Sequence, residues 1–216
     1  MTSDTPDTPK SVAVIITSVR AVRVGPHVAE YVTEVIKSDA EVSSISLTAV
    51  DLAAFELPVY NEAPAPAMVP EKAQFVHEHT RRWSAEIQKY DGYVMVIQEY
   101  NYGVAGATKN AIDYLLNEWK GKPVAVISYG IYGGATANEQ VSYSLGRMGL
   151  RVVETKPKLG FAGAAGPDLF LAMGEGKLGE DTKKEWDEKQ KGEILKAWGE
   201  LKDELSKVEG TQPLPK

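Results

Sequence analysis

The sequence predicts an α/β protein built on a doubly wound parallel sheet, and two observations support this fold class. Strand-like and helical segments alternate along the chain, which is the order that parallel strands with crossover helices require. Four of the strand-like segments are short, nearly continuous runs of β-branched or apolar residues, as strands buried on both faces are. Ligands bind beyond the carboxyl ends of the strands in such sheets, so the loops after the strands are the first places to search for a site.

Each element has its own signal in the sequence. Strands are predicted over residues 11–16, 42–52, 92–97, 122–128 and 150–155. Helices are predicted from about Pro26 onward and over residues 70–90, 103–119 and 135–149. Pro26 suits the first turn of a helix, where its missing N–H costs least. Between the second strand and the second helix, four prolines predict an exposed or clamping loop over residues 57–70.

Length and composition predict one domain over residues 11–208, because 216 residues with 43% hydrophobic content bury one substantial core. Its last part, 179–208, is strongly charged but carries an apolar stripe at helical spacing. The stripe consists of Trp186, Ile194, Leu195, Trp198, Leu201 and Leu205. We expect a helix, bent near Gly192, that packs on the domain or on a sister subunit. The tails, 1–10 and 209–216, are expected to be disordered.

Composition excludes several classes of function. The chain has no cysteine, which removes disulfides, thiol nucleophiles, iron–sulfur clusters and thiolate zinc sites, so redox chemistry must use a bound cofactor. A net charge of −6 argues against a nucleic-acid partner, and no stretch of about 18 apolar residues is present for membrane insertion. Without a signal-peptide pattern, a cytoplasmic protein is expected. His77 and His79 face different directions on a helix, and no metal site is predicted.

The loop after the first strand, TSVRAVRVGP at 17–26, has the residues of an anion site. Ser18 offers a hydroxyl, and the unpaired N–H groups and dipole of the helix that begins near Gly25 favour negative charge. Arg20 and Arg23 add guanidinium groups whose geometry suits phosphate. The alternative interpretation is that both arginines are solvated loop charges.

The loops after the third and fourth strands suit a flat ligand with polar edges. The former, QEYNYG at 98–103, presents Tyr100, Asn101 and Tyr102 at a strand end. The latter, SYGIYGG at 128–134, interleaves tyrosines with glycines, which let the backbone approach a ligand closely. Each loop alone is equally compatible with a tight turn that carries surface tyrosines. The sequence has no P-loop, no dinucleotide fingerprint on the first helix and no nucleophile elbow.

In their order and spacing, these three loops resemble the NAD(P)H-dependent FMN reductases, a family of flavodoxin-like fold that includes quinone and azo-dye reductases. The resemblance covers residues 12–153. The family's Gly-Ser-x-Arg followed by a second arginine is matched by TSVRAVR, and its Pro-Glu-Tyr-Asn by QEYN. Its Leu-Lys-Asn-Ala-Ile-Asp is matched by TKNAID, and its Ser-x-Gly-x-x-Gly-Gly by SYGIYGG. The chain departs from the family pattern at Thr17, Gln98 and Thr108.

The resemblance implies a five-stranded parallel sheet of order 2-1-3-4-5 with helices on both faces, and it implies FMN as cofactor. The FMN phosphate is expected on the first loop and the isoalloxazine ring on the other two. The implied cofactor-binding residues are Ser18, Arg20, Arg23, Val24, Gly25, Gln98, Glu99, Tyr100, Asn101, Ser128, Tyr129, Gly130 and Gly133. Members of the family are commonly homodimers or tetramers, so the loop over 57–70 is expected to border a neighbouring site.

The leading hypothesis is an FMN-dependent oxidoreductase that transfers hydride from NADPH or NADH through flavin N5 to quinones or similar acceptors, with ping-pong kinetics. The hydride step needs no acid or base, so no catalytic side chain is assigned. Tyr132 is the nearest candidate donor to a quinone oxygen, although a packing role fits it equally well. Two alternatives stay open. One is a flavin-binding electron carrier or redox-sensing protein with little turnover, and the other is an interaction module that has lost FMN, which the departures from the family pattern suggest.

Overall fold

A parallel sheet with helices on both faces forms the centre of the computed structural model, which describes residues 9–39, 44–69 and 75–207. The strands are β1 (Lys10–Ile16), β2 (Ile45–Asp51), β3 (Gly92–Tyr100), β4 (Gly103–Val104), β5 (Pro123–Gly130), β6 (Arg151–Val152) and β7 (Lys158–Gly160). The helices are α1 (Gly25–Lys37), α2 (Glu78–Gln88), α3 (Gly106–Asp113), α4 (Ala135–Arg147), α5 (Pro167–Gly174), α6 (Glu180–Lys189) and α7 (Lys191–Ser206). Two short 3₁₀ segments, Leu52–Phe55 and Pro66–Met68, follow β2.

The main path of the sheet runs β2-β1-β3-β5-β6, and all pairs along it are parallel. If β4, which lies off this path, is not numbered, β5 and β6 become the fourth and fifth strands. The path then has the predicted order 2-1-3-4-5. The number of strands was underestimated, because β4 pairs antiparallel with β3, and β7 adds a second short segment beside β5. The predicted fifth strand is broken, since the N–H and hydroxyl of Thr155 donate to the carboxylate of Glu200, at 2.8 and 2.5 Å, instead of continuing the ladder. The predicted fold class is confirmed.

Alternate residues of the central strands face two separate hydrophobic cores. Val12 and Val14 of β1 belong to the core that α1, α5, α6 and α7 cover. Ala13 and Ile15 belong to the opposite core, which α2, α3 and α4 cover. Because both faces of the strand are buried, its sequence is apolar without alternation.

The two C-terminal helices close one face of the sheet. Trp186 of α6 and Ile194 and Trp198 of α7 are almost completely buried in the core beside α1. The Trp186 indole N–H donates to the carbonyl of Gly160 in β7 at 2.5 Å. The helices are separated at Gln190, slightly before the predicted bend. The predicted apolar stripe therefore packs on its own chain.

The helix predicted from residue 70 begins at Glu78 instead, and residues 70–74 lie outside the described part of the chain. The two carboxylate oxygens of Glu62 accept the N–H groups of Val76 and His77, each at 3.0 Å. These bonds satisfy the backbone without helical pairing, and His77 is extended. The long-range carboxylate explains the late start of α2, which the local sequence pattern does not contain.

Several other boundaries also differ from the prediction. Residues 103–104 form β4, so the third helix is shorter than the predicted 103–119. Residues 42–43 of the predicted second strand lie outside the described part, as do the tail residues 1–8 and 208–216, whereas Lys10 belongs to β1. The helix α5 was not predicted. No helix in the described part of the chain is both long and apolar enough to cross a membrane.

Candidate functional site

The first loop, between β1 and α1, leaves a buried hydroxyl unpaired at a helix N-terminus. Ser18 is 1% exposed, and its Oγ atom makes no hydrogen bond of normal geometry with the described residues. The helix α1 begins nearby at Gly25, after the buried N-cap residue Val24. This start has neither a side-chain cap nor an acidic residue in its first turn to balance the helix dipole. A hydroxyl beside uncapped amides is the arrangement of an anion-binding site.

Gly25 is needed because no side chain fits between two hydroxyl groups. A Cβ atom at this position would lie 2.1 Å from Ser18 Oγ and 2.8 Å from the hydroxyl oxygen of Tyr129. Tyr129 therefore reaches from β5 to the first loop. Burial raises the pKa of Tyr129 to about 12, so its hydroxyl is protonated at neutral pH. The pocket beside α1 thus contains neutral hydroxyl groups and backbone amides.

The two arginines of the first loop have different surroundings. The guanidinium of Arg23 binds both carboxylate oxygens of Asp51, at 2.9 and 2.6 Å, and donates to the Ser18 carbonyl at 2.8 Å. Burial raises the pKa of Asp51, but the hydrogen bonds from Arg23 and from the Ala53 N–H, together with the charge of Arg23, outweigh burial and lower that pKa. Arg20 is exposed, and its guanidinium carbon lies 5.6 Å from the centroid of the Tyr100 ring. Arg23 therefore braces the loop, whereas Arg20 is accessible to a ligand.

The second loop is a tight β-hairpin. Asn101 and Tyr102 connect β3 to β4, and their φ angles are 50° and 58°. A two-residue turn of type I′ requires positive φ at both positions, which is costly for a residue with a side chain. Such strain is concentrated at functional sites, and the side chain of Tyr102 is 76% exposed here.

Gln98 and Glu99, which precede this hairpin, use their side chains inside the protein. Gln98 is buried, and its Oε1 atom accepts a hydrogen bond from the hydroxyl of Thr17 at 2.9 Å. The Oε2 atom of Glu99 accepts the N–H of Ala137, in the first turn of α4, at 3.0 Å. The N-terminus of α4 therefore already carries a carboxylate, in contrast to the N-terminus of α1.

The third loop, 128–134, is held in shape by the buried hydroxyl of Ser128. This hydroxyl donates to the carbonyl of Gly133 at 2.7 Å and accepts from Asn138 Nδ2 at 3.1 Å. Gly133 has a φ of 85°, and a Cβ atom there would lie 2.9 Å from the Cβ of Lys158. Glycine is therefore needed at position 133 both for its conformation and for its close contact with β7.

A cavity of about 430 Å³ opens beside the first loop. Its lining residues are Val19, Leu52, Ala53, Glu56, Leu57, Ala107 and Asn110. Asn110 of α3 also accepts the N–H of Tyr60 at 2.9 Å and donates to the carbonyl of Pro58 at 2.6 Å. The proline-rich loop predicted over 57–70 is thus clamped to α3 next to the first loop.

The three loops follow β1, β3 and β5, which are neighbours in the sheet, so the predicted residues meet at one edge. The structure brings Ser18, Gly25 and Tyr129 together, and it places Arg20 over Tyr100. The side chains of Arg23, Gln98 and Glu99 bind protein groups instead of facing the loop surface. Tyr132 of the third loop is 72% exposed, with Gly130 at the strand end before it.

A comparison with protein families gives the decisive result. The family model for NADPH-dependent FMN reductases matches residues 11–163. The chain belongs to this family of reductases. The reductase is 51% identical over 196 residues to an NAD(P)H-dependent FMN reductase of Nectria sp, a match that covers 90% of this chain and 96% of that protein. It is 33% identical over 180 residues to a quinone reductase of Pseudomonas putida, with 80% and 87% covered.

A solved structure shows the same fold as the reductase. The flavoenzyme FerB of Paracoccus denitrificans, an NAD(P)H:(acceptor) oxidoreductase, aligns with a TM-score of 0.61 at 24% identity, covering 90% of this chain and 98% of that chain. The resemblance noted in the sequence is confirmed by these findings. Membership of the family also confirms the predictions of an oxidoreductase enzyme, of FMN as its cofactor and of NAD(P)H as hydride donor.

The residues of the reductase fit FMN. The unpaired Ser18 hydroxyl and the uncapped amides of α1 suit a phosphate, to which the exposed Arg20 adds a positive charge. Within the described residues, no three His, Asp or Glu side chains are grouped so as to hold a metal ion.

Sequence analysis missed one residue of the site, Asp51. Its signal was an acidic residue at the carboxyl end of the predicted second strand, which neighbours the first strand in the predicted order. The local pattern gives no indication that Arg23 pairs with it, because the two residues are 28 positions apart.

Proposed function

We propose that this reductase transfers hydride equivalents from NAD(P)H to quinones or similar small acceptors, by ping-pong kinetics at one open site. When bound, FMN supplies a ring that accepts hydride at N5 and passes the electrons on. The observation that carries the proposal is the buried, unpaired hydroxyl of Ser18 at the uncapped start of α1, beside two aromatic loops. The similarity to a quinone reductase supports the class of acceptor.

In this proposal the first loop binds the phosphate. The hydroxyl of Ser18 and the amides of Val24 and Gly25 donate hydrogen bonds, and Arg20 supplies the accessible positive charge. Arg23 was predicted to bind the phosphate directly. Its bonds to Asp51 and to the Ser18 carbonyl favour a supporting role, in which it holds the loop in the shape that binds phosphate.

The second and third loops position the ring. The backbone over 98–101, with the side chains of Tyr100 and Asn101, would hold one part of the ring, and the loop over 128–134 would hold its pyrimidine edge. Gly133 packs directly on Lys158 of β7, and the Ser128 hydroxyl binds the Gly133 carbonyl, so the loop is kept in place. Backbone N–H groups in this loop would stabilise negative charge on the reduced ring.

Hydride donor and acceptor use the same open face in turn. Tyr102 and Tyr132 are exposed at the ends of the two loops and form an aromatic rim suited to planar substrates. Because one rim serves both substrates, the oxidised nicotinamide must leave before the acceptor binds, which is the origin of the ping-pong kinetics. In this proposal the hydroxyl of Tyr132 donates to an acceptor oxygen, so we expect Tyr132→Phe to lower turnover with quinones.

The proposal includes a homodimer or tetramer in the cytoplasm, where NAD(P)H is present. Three apolar residues of the segment around the proline-rich loop, Val59, Met68 and Val76, are 86%, 75% and 70% exposed, and contact between subunits would bury them. Light scattering of the purified protein tests this assembly, since the mass of a single chain would contradict it. Fractionation of cells tests the location.

The first experiment measures visible absorption after FMN is added and the excess is removed by gel filtration. Initial rates of NADH and NADPH oxidation with 1,4-benzoquinone follow, with both substrates varied. We expect a retained flavin spectrum and parallel double-reciprocal lines. The variant Arg20→Ala should retain less FMN, whereas Arg147→Ala, which removes an exposed charge at the end of α4, should behave like the parent.

Two outcomes would overturn the proposal, and each supports a different alternative. Retained flavin without quinone-dependent turnover would indicate an electron carrier or a redox-sensing protein. Failure to bind FMN at any concentration tested would indicate an interaction module.

A further inference from the structure

Thr17, Gln98 and Thr108 form a connected group of buried polar side chains, here called the buried triad. Their exposed fractions are 1%, 3% and 0%. The Thr17 hydroxyl donates to Gln98 Oε1 at 2.9 Å, and the Thr108 hydroxyl donates to Thr17 Oγ1 at 2.9 Å. Gln98 Nε2 lies 3.4 Å from the carbonyl oxygen of Thr17, and the Thr17 hydroxyl also lies 3.1 Å from the Val96 carbonyl of β3.

The members of the buried triad depend on one another. The Thr17 hydroxyl accepts the proton of Thr108, and its own proton points between Gln98 Oε1 at 2.9 Å and the Val96 carbonyl of β3 at 3.1 Å. A buried polar group that loses its partner costs about 1–3 kcal/mol, whereas replacing all partners by apolar groups costs little. The three side chains therefore act as a unit and not as independent substitutions.

These three positions are the ones at which the sequence departs from the family pattern. That pattern has glycine, proline and leucine there, none of which carries a polar side chain. The departures occur in different motifs along the chain, and the structure brings all three into contact. The three departures therefore compensate one another, because each new polar side chain finds its partner in another. They no longer favour the hypothesis of an interaction module that has lost FMN.

The buried triad connects the two ends of the proposed site. Thr17 directly precedes Ser18 in the phosphate-binding loop. Gln98 directly precedes Glu99, and the hairpin at Asn101 follows. Thr108 lies in α3, so the link is held by a third element. A movement of the first loop is thus passed to the second loop through side chains that are packed and hydrogen-bonded.

We propose that the buried triad is a positioning unit that couples the phosphate end of the flavin site to the ring end. This inference rests on the proposed function. Occupation of the first loop fixes Ser18 and the neighbouring Thr17, and through Gln98 it fixes the backbone that carries Glu99 and Asn101. Phosphate binding therefore strengthens ring binding even when phosphate and ring belong to separate molecules.

The test uses riboflavin, which has the ring but no phosphate, together with inorganic phosphate. The dissociation constant of riboflavin is measured by fluorescence quenching on the FMN-free protein, without phosphate and with saturating phosphate, at equal ionic strength set by sodium chloride. We expect phosphate to lower the riboflavin dissociation constant at least about fivefold, the lower end of usual coupling between sites.

The informative variants are Thr108→Val, Gln98→Met and the double variant Thr17→Val with Gln98→Met, which remove hydrogen bonds at nearly constant volume. We expect each variant to reduce the fivefold effect to less than twofold. Thr155→Val is the matched control, because Thr155 is also a buried, hydrogen-bonded threonine but lies beside Glu200, away from the site. The control should keep the full effect.

The outcomes separate this inference from the proposed function. If the parent binds neither FMN nor riboflavin, the proposed function fails. If the parent binds both but phosphate has no effect on riboflavin, or if the folded Thr108→Val and Gln98→Met variants keep the effect, the coupling role is wrong. Circular dichroism establishes that each variant is folded, and Thr108→Val serves if the double variant does not fold.

Discussion

At the scale of single residues, the Ser18 hydroxyl lowers the stability of the FMN-free protein but strengthens FMN binding. This hydroxyl is buried without a hydrogen bond of normal geometry in the described part of the chain, and its contact with the Tyr129 hydroxyl is a weak one. A buried polar group without a full partner costs about 1–3 kcal/mol. The hydroxyl gains a full hydrogen bond when a ligand accepts its proton.

We therefore expect Ser18→Ala to have opposite effects on stability and on binding. The FMN-free variant should be as stable as the parent or up to about 1 kcal/mol more stable in urea unfolding, because the unpaired group is gone. Its affinity for FMN should fall at least about tenfold, since a hydrogen bond to a charged group is lost. Riboflavin affinity should stay nearly unchanged.

The control for this prediction is Ser142→Ala. Ser142 is also buried, but its hydroxyl donates to Asn138 Oδ1 at 3.1 Å, so its loss should destabilise the protein. Equal destabilisation by both variants would show that the Ser18 hydroxyl has a partner within the protein.

Glu99 places a negative charge at the N-terminus of α4, next to the loop proposed for the pyrimidine edge. This charge opposes the build-up of negative charge on the reduced flavin. In Glu99→Gln the midpoint potential of the bound flavin should rise by about 30 mV, which corresponds to 1.4 kcal/mol for a couple of two electrons. Glu139→Gln, at an exposed position on α4, should leave the midpoint potential of the bound flavin unchanged. A lower potential in Glu99→Gln would contradict this account.

At the scale of elements, the hairpin between β3 and β4 holds a tyrosine in a conformation that suits glycine. Tyr102→Gly should therefore stabilise the protein by about 1 kcal/mol in thermal unfolding. It should also raise the KM for quinones severalfold, because the exposed ring is part of the proposed aromatic rim. The control is Tyr143→Ala, which removes an exposed tyrosine from α4 and should leave KM unchanged. Alanine is chosen because glycine would destabilise the helix.

The proline-rich loop is fastened to α2 through His79, whose Nε2 atom lies 3.0 Å from Asn61 Oδ1. Burial and the neighbouring His77 lower the pKa of His79 from 6.5. The unfolded chain therefore binds more protons than the folded chain as the pH falls through 6.5, and stability should decrease there. Acidic groups such as Glu62, whose pKa is lowered by its hydrogen bonds despite burial, act at lower pH.

Urea unfolding at pH 7.5 and pH 5.5 measures this effect. His79→Gln should reduce the difference in stability between the two conditions. An unchanged difference in His79→Gln would assign the pH dependence to other groups.

At the scale of the whole molecule, the sequence was sufficient to predict the sheet and the edge that carries the candidate site. The central strands β1, β3 and β5 are apolar because both of their faces are covered, so each is visible as a local run. The loops that follow them could be located for the same reason. Their resemblance to a known family then supplied the cofactor.

Features that depend on distant side chains could not be predicted in this way. Three features depend on residues that are far apart in sequence. Arg23 pairs with Asp51, the Glu62 carboxylate delays the start of α2, and the Glu200 carboxylate interrupts the predicted fifth strand. The hairpin at Asn101 was missed because its turn lacks the glycine that usually marks such turns. Local sequence patterns do not identify these long-range partners.

The position of α7 has a consequence for how the protein is made. One apolar face of the sheet is covered by α1 together with Trp186, Ile194 and Trp198, which follow all the strands in the chain. That face stays partly uncovered until α6 and α7 have been synthesised, while the opposite face can already be closed by α2, α3 and α4. The nascent chain therefore exposes a surface suited to chaperones until these two helices have left the ribosome.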